Sequence, residues 1–325
     1  MNIFFLAAGL GSRFKPLTDK YPKPCVPFLN VPMGLYAFRF FENLNISACV
    51  ANSYHLPAQI ENLYTTQPYY KNTYKNKIAI SNESHSGGQI RSQILGSAGG
   101  LKRASKYFSE DETILMLNGD EIFFTPRLQF LHEAYKQHVT NKNLATLIVT
   151  THPEAGNKFG AIWTDGPKVK NIGKANAHPG LRPQHYIGLV FLNKKVLSLI
   201  PENKETNILY DILIPELDSQ SVEVYNLDCT WYEAGNALDY LAATQSALRS
   251  LDNKTLDFIN KYDPSKLVKN FGGVSLISDH ISIDEKKLYG FNVIAGSTNS
   301  ANLASVEKIE NSVLFDNEIL SLNTF

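Results

Sequence analysis

Residues 3 to 24 read Ile-Phe-Phe-Leu-Ala-Ala-Gly-Leu-Gly-Ser-Arg-Phe-Lys-Pro-Leu-Thr-Asp-Lys-Tyr-Pro-Lys-Pro. An apolar run leads into a small-residue turn formed by Leu6, Ala7, Ala8, Gly9, Gly11 and Ser12, with two cations following at Arg13 and Lys23. Small residues let backbone N–H groups approach a ligand, and successive N–H groups of a turn can cradle an anion. A guanidinium fork and an ammonium point charge beside such a turn suit a polyphosphate. Two other glycine loops are excluded. A dinucleotide fingerprint needs glycine at position 14, where Phe14 stands, and no Gly-x-x-x-x-Gly-Lys-Ser/Thr segment occurs in the chain.

A second chemical feature closes another apolar run, Leu117-Asn118-Gly119-Asp120. In open α/β sheets ligands bind beyond the carboxyl ends of strands. Asp120 is placed there to hold Mg²⁺, a hard cation that prefers oxygen ligands; the alternative is a turn aspartate capping the next element. Leu95-Gly96-Ser97-Ala98-Gly99-Gly100-Leu101 is a further small-residue stretch, whose backbone a ligand could approach closely. The eight histidines show no metal-ligand spacing and are read as structural or solvated.

Leu6 to Arg13, with Pro16-Leu17-Thr18 and Pro22-Lys23-Pro24, resembles the signature of the sugar-1-phosphate nucleotidyltransferases. Both the mannose-1-phosphate guanylyltransferase-like and the N-acetylmuramate-1-phosphate uridylyltransferase-like members are similar, over residues 1–250. The resemblance implies attack of a sugar phosphate oxygen on the α-phosphorus of a nucleoside triphosphate, with pyrophosphate leaving. It implies Arg13 along the leaving phosphates, Lys23 near the α-phosphate, and Asp120 as a magnesium ligand. Trp231-Tyr232-Glu233-Ala234-Gly235-Asn236 resembles the segment carrying the second magnesium carboxylate, with Glu233 in place of the usual aspartate. Ala8 and Gly99 are expected to read the base through their backbones, and Glu83 matches an acidic position of guanylyltransferases, which favours GTP. On the sugar-phosphate side the resemblance points to Gly160 in Phe159-Gly160, to Lys174, and to Tyr186 and Gly188, while the usual glutamate is replaced by Gly173.

The expected fold is therefore α/β: a Rossmann-like three-layer αβα nucleotidyltransferase domain over 1–250 with a mostly parallel sheet. A helical linker over 251–270 and a β-rich tail over 271–325 follow. Apolar runs at 2–7, 47–51, 77–81, 113–117 and 144–151 are the expected strands, alternating with helices at 34–45, 57–64, 99–108 and 126–139. From residue 156 the pattern turns β-rich, with helices returning at 194–200, 207–214 and 236–250. In the tail, Ile277 and Ile283, Leu303 and Ile309, and Val313 and Ile319 are each six apart, resembling a degenerate left-handed β-helix.

Composition narrows the partners. Lys plus Arg equals Asp plus Glu at 31 each, which argues against nucleic acid or a membrane surface, since both call for a basic excess. A hydrophobic content of 43% supports a sizeable core. Cys25, Cys49 and Cys229 form no disulfide framework, which fits the cytoplasm. The apolar start lacks a basic n-region and reads as a buried strand, not a signal peptide.

The expected function is a Mg²⁺-dependent transfer from GTP to a mannose-like 1-phosphate. Uridylyl transfer is the first alternative and cytidylyl transfer to a phosphorylated alcohol a more distant one. A non-catalytic subunit that senses NDP-sugar is the rival from another class; intact Arg13, Lys23 and Asp120 argue against it. The tail is expected to serve stability or homo-oligomer assembly.

Overall fold

The computed structural model describes residues 1–42, 44–66, 78–86, 89–90, 93–174 and 179–322. The chain forms two compact units, one from Met1–Leu10 with Ala37–Trp231, the other from Gly11–Tyr36 with the chain from Tyr232 onward. This division differs from the expected boundaries at 250 and 270.

The first unit is built on a nine-stranded sheet. Its strands are β1 (Asn2–Leu6), β2 (Ala48–Ser53), β3 (Ile78–Asn82), β4 (Thr113–Asn118), β5 (Ala145–Thr150), β6 (Ala161–Asp165), β7 (Lys168–Gly173), β8 (Arg182–Asn193) and β9 (Val222–Asn226). Their order across the sheet is β5-β9-β7-β6-β8-β4-β1-β2-β3. The block β3-β2-β1-β4 is parallel, as expected, with Asn2 beside Ala48 on one side and Ile114 on the other. The other half is mainly antiparallel: β8 runs against β4, β5 and β6, and β6 against β7. The sheet is mixed rather than mostly parallel. The reason is local, because only two residues separate β6 from β7, and a link that short can join only antiparallel strands.

Successive strand residues face opposite layers. Phe4 packs in a core with Val50, Met116, Ala98 and Leu101. Its neighbour Phe5 stacks on Phe38 at 5.3 Å and meets Tyr64 at 4.9 Å. Helix α1 (Pro57–Thr65) thus lies on the Phe5 face and α2 (Gly96–Ala104) on the Phe4 face. Helix α3 (Phe130–Thr140) covers β5 and β8, with Tyr135 and His138 against Phe191. Layers on both faces explain why these strands read as unbroken apolar runs. The helix expected over 34–45 is a 3₁₀ segment, Met33–Phe40. The strand expected from Lys77 is seen from Ile78; Lys77 itself lies outside the described residues.

The second unit joins the cation-bearing segment to the C-terminal elements. Helix α4 (Ala237–Arg249) is capped by Asn236, whose side chain accepts from the Asp239 N–H at 3.0 Å. Helix α5 (Asn253–Tyr262) is capped in the same way by Asp252 on Thr255, 2.7 Å. Such caps satisfy N–H groups that have no partner within the helix. Strand β10 (Ser265–Asn270) follows, so the expected linker is one helix and one sheet strand. It pairs with β11 (Gly273–Ser278), and β12 (Leu288–Ala295), β13 (Ile309–Phe315) and β14 (Glu318–Ser321) complete a five-stranded sheet. Here β11, β12 and β13 stack in parallel, aligning Ser275, Asn292 and Ser312. Asn292 is fully buried and bonds both neighbours, donating to Ser275 Oγ at 3.1 Å and accepting from the Ser312 N–H at 3.2 Å. Ile277, Leu303 and Ile309 share one core, while Ile319 is 59% exposed. The segment Gly11–Tyr36 packs on these elements. Phe14 meets Tyr240 at 5.3 Å, the Tyr240 hydroxyl donates to the Pro27 carbonyl, and Asn30 Nδ2 donates to Ser265 Oγ at 2.8 Å. No helix among the described residues is long and apolar enough to cross a membrane.

Candidate functional site

In the first unit, β1 ends at Leu6, and the chain then passes through Ala7 and Ala8, both nearly buried, to an exposed Gly9. The Ala7 and Ala8 N–H groups donate to Asn52 Oδ1 at 2.6 and 3.1 Å. Asn52 stands near the end of β2, fully buried, and its Nδ2 donates to Glu83 Oε1 at 2.7 Å. Glu83 Oε2 accepts from the Leu95 N–H at 3.0 Å, at the start of the second small-residue stretch. One amide and one carboxylate thereby tie the turn after β1 to the loop that opens α2. A Cβ on Gly100 would lie 2.5 Å from Glu83 Oε1 and 2.7 Å from Asn52 Nδ2, so the helix can seat here only with glycine.

This network revises two expectations. Glu83 is 1% exposed and both of its oxygens are engaged by protein donors, so its carboxylate holds the loops together and does not face a base. The N–H groups of Ala8 and Gly99 are likewise engaged, Ala8 on Asn52 and Gly99 on the Thr206 carbonyl at 3.4 Å. What these residues can still offer a ligand is their carbonyls and close backbone approach.

Asp120 lies where it was expected, just past the carboxyl end of β4 and half-exposed. The Gly119 N–H donates to the Leu6 carbonyl at 2.9 Å, which fixes the Asp120 turn against the end of β1. The structure brings Leu6, Ala7 and Ala8 together with Asp120, Asn52 and Glu83 along this sheet edge.

The residues expected on the sugar-phosphate side lie on and near β6, β7 and β8. Gly160 and Gly173 lie next to each other under Tyr210, whose hydroxyl would be 3.4 Å from a Cβ on Gly160. Lys174 is exposed at the end of β7. The Tyr186 hydroxyl is buried, and burial and the Glu121 charge raise its pKa. Gly188 has φ +78°, and a Cβ there would strike the Glu121 side chain.

Glu121 itself was missed, overshadowed in the sequence by Asp120 beside it. Its Oε1 accepts from Asn118 Nδ2 at 3.0 Å and its Oε2 from Trp231 Nε1 at 2.9 Å. Trp231 in turn packs with Phe159 at 5.3 Å, His152 at 5.7 Å and His185 at 4.1 Å. His185 is 6% exposed, and burial, helped by His152, pushes its pKa down to about 4, so the ring is neutral. Asn52 was also missed as a functional position; its signal was a lone amide near the end of an apolar strand.

In the second unit, Gly11 adopts φ +61° and its carbonyl accepts from the Phe14 N–H at 2.8 Å and Thr18 Oγ1 at 2.8 Å. That tight turn presents Ser12 and Arg13, both exposed. Lys23 opens a short 3₁₀ turn after Pro22. Glu233 Oε1 accepts from the Gly235 N–H at 2.7 Å, and Arg13 Nη1 lies 3.3 Å from where a Gly235 Cβ would be. Arg13 and Glu233 thus flank the same glycine. Burial pushes the Cys25 thiol up to about 12 and the Cys229 thiol up to about 11, so neither is a thiolate near neutrality.

The sequence profile described as nucleotidyl transferase matches residues 4–250. The chain belongs to the nucleotidyl transferase family. It is 28% identical over 255 residues to the UTP–glucose-1-phosphate uridylyltransferase of Synechocystis, covering 76% of this chain and 63% of that protein. Mannose-1-phosphate guanyltransferase 2 of Candida glabrata is 28% identical over 263 residues, covering 78% of this chain and 66% of that protein. The chain thus spans just under two thirds of the length of these curated relatives. The structure of a UDP-glucose pyrophosphorylase from Acinetobacter baumanii has a TM-score of 0.63 at 19% identity, covering 79% of this chain and 96% of that one. That likeness is one of fold. The resemblance to sugar-1-phosphate nucleotidyltransferases read from Leu6 to Pro24 is borne out.

Proposed function

We propose that this nucleotidyl transferase joins a nucleoside triphosphate to a sugar 1-phosphate. A sugar phosphate oxygen attacks the α-phosphorus, the bond to the bridging oxygen of the β-phosphate breaks, and pyrophosphate leaves. The observation that carries this reading is the family match over residues 4–250, which encloses Arg13, Lys23 and Asp120. Such a reaction needs alignment and charge stabilisation, with little covalent work by side chains. We assign Arg13 to the leaving phosphates and Lys23 to the α-phosphate. Leu6, Ala7, Ala8, Gly9, Gly11, Ser12 and Gly99 form the nucleotide-binding backbone in this reading. Gly160, Lys174, Tyr186 and Gly188 serve the sugar phosphate.

Asp120 and Glu233 are the proposed Mg²⁺ ligands. The donors fit chemically, since both are carboxylates and Mg²⁺ prefers oxygen. Among the described residues no group of three or more His, Cys, Asp or Glu side chains could hold a metal. The fit is therefore to an ion that completes its shell with phosphates and water, as Mg²⁺ commonly does. When bound, the ion would offset charge on the triphosphate. Glu233→Gln should raise the Mg²⁺ concentration giving half-maximal rate, and superimposable curves would remove Glu233 from the set.

GTP and a mannose-like 1-phosphate are the first substrates in this proposal, supported by the guanyltransferase relatives. UTP is the second reading, favoured by the Synechocystis relative. The parallel stack of β11, β12 and β13 supports reading the tail as a degenerate β-helix that assists stability or assembly of copies. The few, widely spaced cysteines, Cys25, Cys49 and Cys229, support a reducing, cytoplasmic setting. Pyrophosphate release across a panel of triphosphates and sugar 1-phosphates tests the proposal. Release that requires one pair of substrates supports it, and no release with any pair defeats it.

A further inference from the structure

The turn that carries Arg13 is held from outside itself. Gly11 takes φ +61°, and its carbonyl accepts from Thr18 Oγ1 at 2.8 Å. A Cβ on Gly11 would lie 2.8 Å from Thr18 Cγ2, so the turn is fitted to that side chain. Thr18 is buried on the helix Leu17–Lys20, which has only four residues. A helix so short is not stable alone, so its place is set by what it packs against. One anchor for this segment is α4, where Tyr240 meets Phe14 at 5.3 Å. A second is the last hairpin of the tail.

That hairpin joins β13 to β14 through Asp316 and Asn317, both left-handed, with φ +48° and +66°. Two such residues make a tight turn whose twist matches that of the strands it joins. The turn is also tied to the loop before it. Asp316 Oδ1 accepts from the Ser297 N–H at 2.7 Å and from Ser297 Oγ at 2.9 Å, and Asn317 Oδ1 accepts from the Asn299 N–H at 3.1 Å. Successive strand residues face opposite ways. Leu314 therefore enters the tail core with Ile277 and Leu303, while Phe315, 2% exposed, turns the other way and meets Tyr21 edge-on at 5.5 Å. Across the turn, Glu318 Oε1 accepts from Lys20 Nζ at 2.5 Å. Both contacts fall at the C-terminal end of the helix that carries Thr18. The ion pair lies at the surface, where such pairs add little stability, so the buried ring of Phe315 is the stronger anchor and Lys20–Glu318 sets the register.

We propose that the hairpin Phe315–Glu318 is a positioning element for the triphosphate: through Tyr21 and Lys20 it sets the helix Leu17–Lys20, and through Thr18 and Gly11 the place of the Arg13 guanidinium. Phe315 and Glu318 are positioning residues that act through Arg13. This rests on the assignment of Arg13 to the leaving phosphates, and it adds the tail to the apparatus that binds them. The effect is one of alignment, and a misplacement of about 1 Å in a binding group costs on the order of 10²-fold.

Calorimetric titration of the full chain with a non-hydrolysable triphosphate and Mg²⁺ tests this without requiring turnover. Phe315→Ala should weaken binding about ten-fold or more. Leu303→Ala is the control. It cuts the tail core, which contains no residue of 11–36 among the described residues, and should leave affinity within about two-fold of wild type. In an Arg13→Ala background, adding Phe315→Ala should change affinity by less than about two-fold, because the contact it aligns is already gone. Glu318→Lys should weaken binding by setting two cations against each other, and Lys20→Glu combined with it should restore binding by reversing the pair. Those surface changes carry the test where Phe315→Ala does not fold. Wild-type affinity in Glu318→Lys, an equal loss in Leu303→Ala, or full additivity with Arg13→Ala overturns the proposal. Binding as described without pyrophosphate release would defeat the transfer reading and leave this one standing. Release with unaltered triphosphate affinity in the hairpin variants would do the reverse.

Discussion

Asn52 offers the sharpest test of how the nucleotide turn is held. It is fully buried and serves three partners: the N–H groups of Ala7 and Ala8, at 2.6 and 3.1 Å, and Glu83, at 2.7 Å. Asn52→Ala removes all three bonds and leaves two backbone donors and a carboxylate oxygen short of a partner. Each buried polar group so stranded costs about 1–3 kcal/mol. Water entering the space left by the amide would recover part of this, so about 3–4 kcal/mol is the expected loss. For the 325 residues of this chain, at about 2.1 cal/mol/K of unfolding entropy per residue, that corresponds to a fall in Tm of about 4–6 °C. Asn52→Asp is a more pointed change. It keeps the acceptor for both N–H groups but sets a carboxylate against Glu83. Two such groups cannot both ionise easily, so one would titrate above its ordinary range. A raised folded value gives stability that is complete at low pH and is lost as pH rises through that value. Asn52→Asp should therefore be relatively more stable in mild acid than at neutrality. The assay is thermal unfolding across pH, paired with triphosphate titration of each folded variant. A Tm for Asn52→Ala within about 2 °C of wild type, with unchanged triphosphate affinity, would refute the idea that this amide organises the turn.

Arg13→Ala and Lys23→Ala should each lower turnover on the order of 10²-fold or more, while stability changes by about 0.5 kcal/mol; steady-state kinetics and a melting curve check both. Truncation after Tyr262 removes Ser265 and Ser278, which accept from Asn30 at 2.8 and 3.3 Å, and Phe315, which packs on Tyr21 at 5.5 Å. The truncated chain should therefore lose triphosphate affinity as well as solubility, and a soluble truncation with wild-type kinetics would show that the tail does not support the cationic segment. Glu223 is 7% exposed; burial raises its pKa, but bonds from Asn141, Asn143 and Gln137 and the charge of Lys168 outweigh this and hold it below 4.5. Its stabilisation is complete above that ordinary value and is lost as pH falls through the lower folded one, so Glu223→Gln should melt earlier at neutral pH and show a shallower acid decline.

Much of the parallel half of the sheet was legible because burial on both faces turns each strand into an unbroken apolar run. Thr113–Asn118 and Ile78–Asn82 fall within a residue of their expected positions. The antiparallel half was not legible from alternation alone, since the pairing direction there follows from the lengths of links such as that between Asp165 and Lys168. Met33–Phe40 misled for a different reason. All of it but Ala37 and Arg39 is buried, so it lacks the polar face that separates an amphipathic helix from other buried segments. The charged stretch 251–270 hid a sheet strand because Leu267 and Val268 are flanked by lysines. Among the candidate site residues, Arg13, Lys23, Asp120 and Gly160 were named from local motifs. The engagement of Glu83 by Asn52 and Leu95, and of Glu121 by Trp231, joins residues 31, 12 and 110 positions apart, and no local pattern records it.

The central claim is transfer of the nucleotidyl group to a sugar 1-phosphate, and the most direct measurement follows the α-phosphorus. Triphosphate labelled at the α-phosphate is incubated with Mg²⁺ and a hexose 1-phosphate, using wild type and Asp120→Asn. In wild type the label should appear in the NDP-sugar, in equal amount to pyrophosphate and only when the sugar phosphate is present, and Asp120→Asn should largely abolish this. Label recovered as nucleoside mono- or diphosphate independently of the sugar phosphate, or left in the triphosphate for every base tried, would contradict the account.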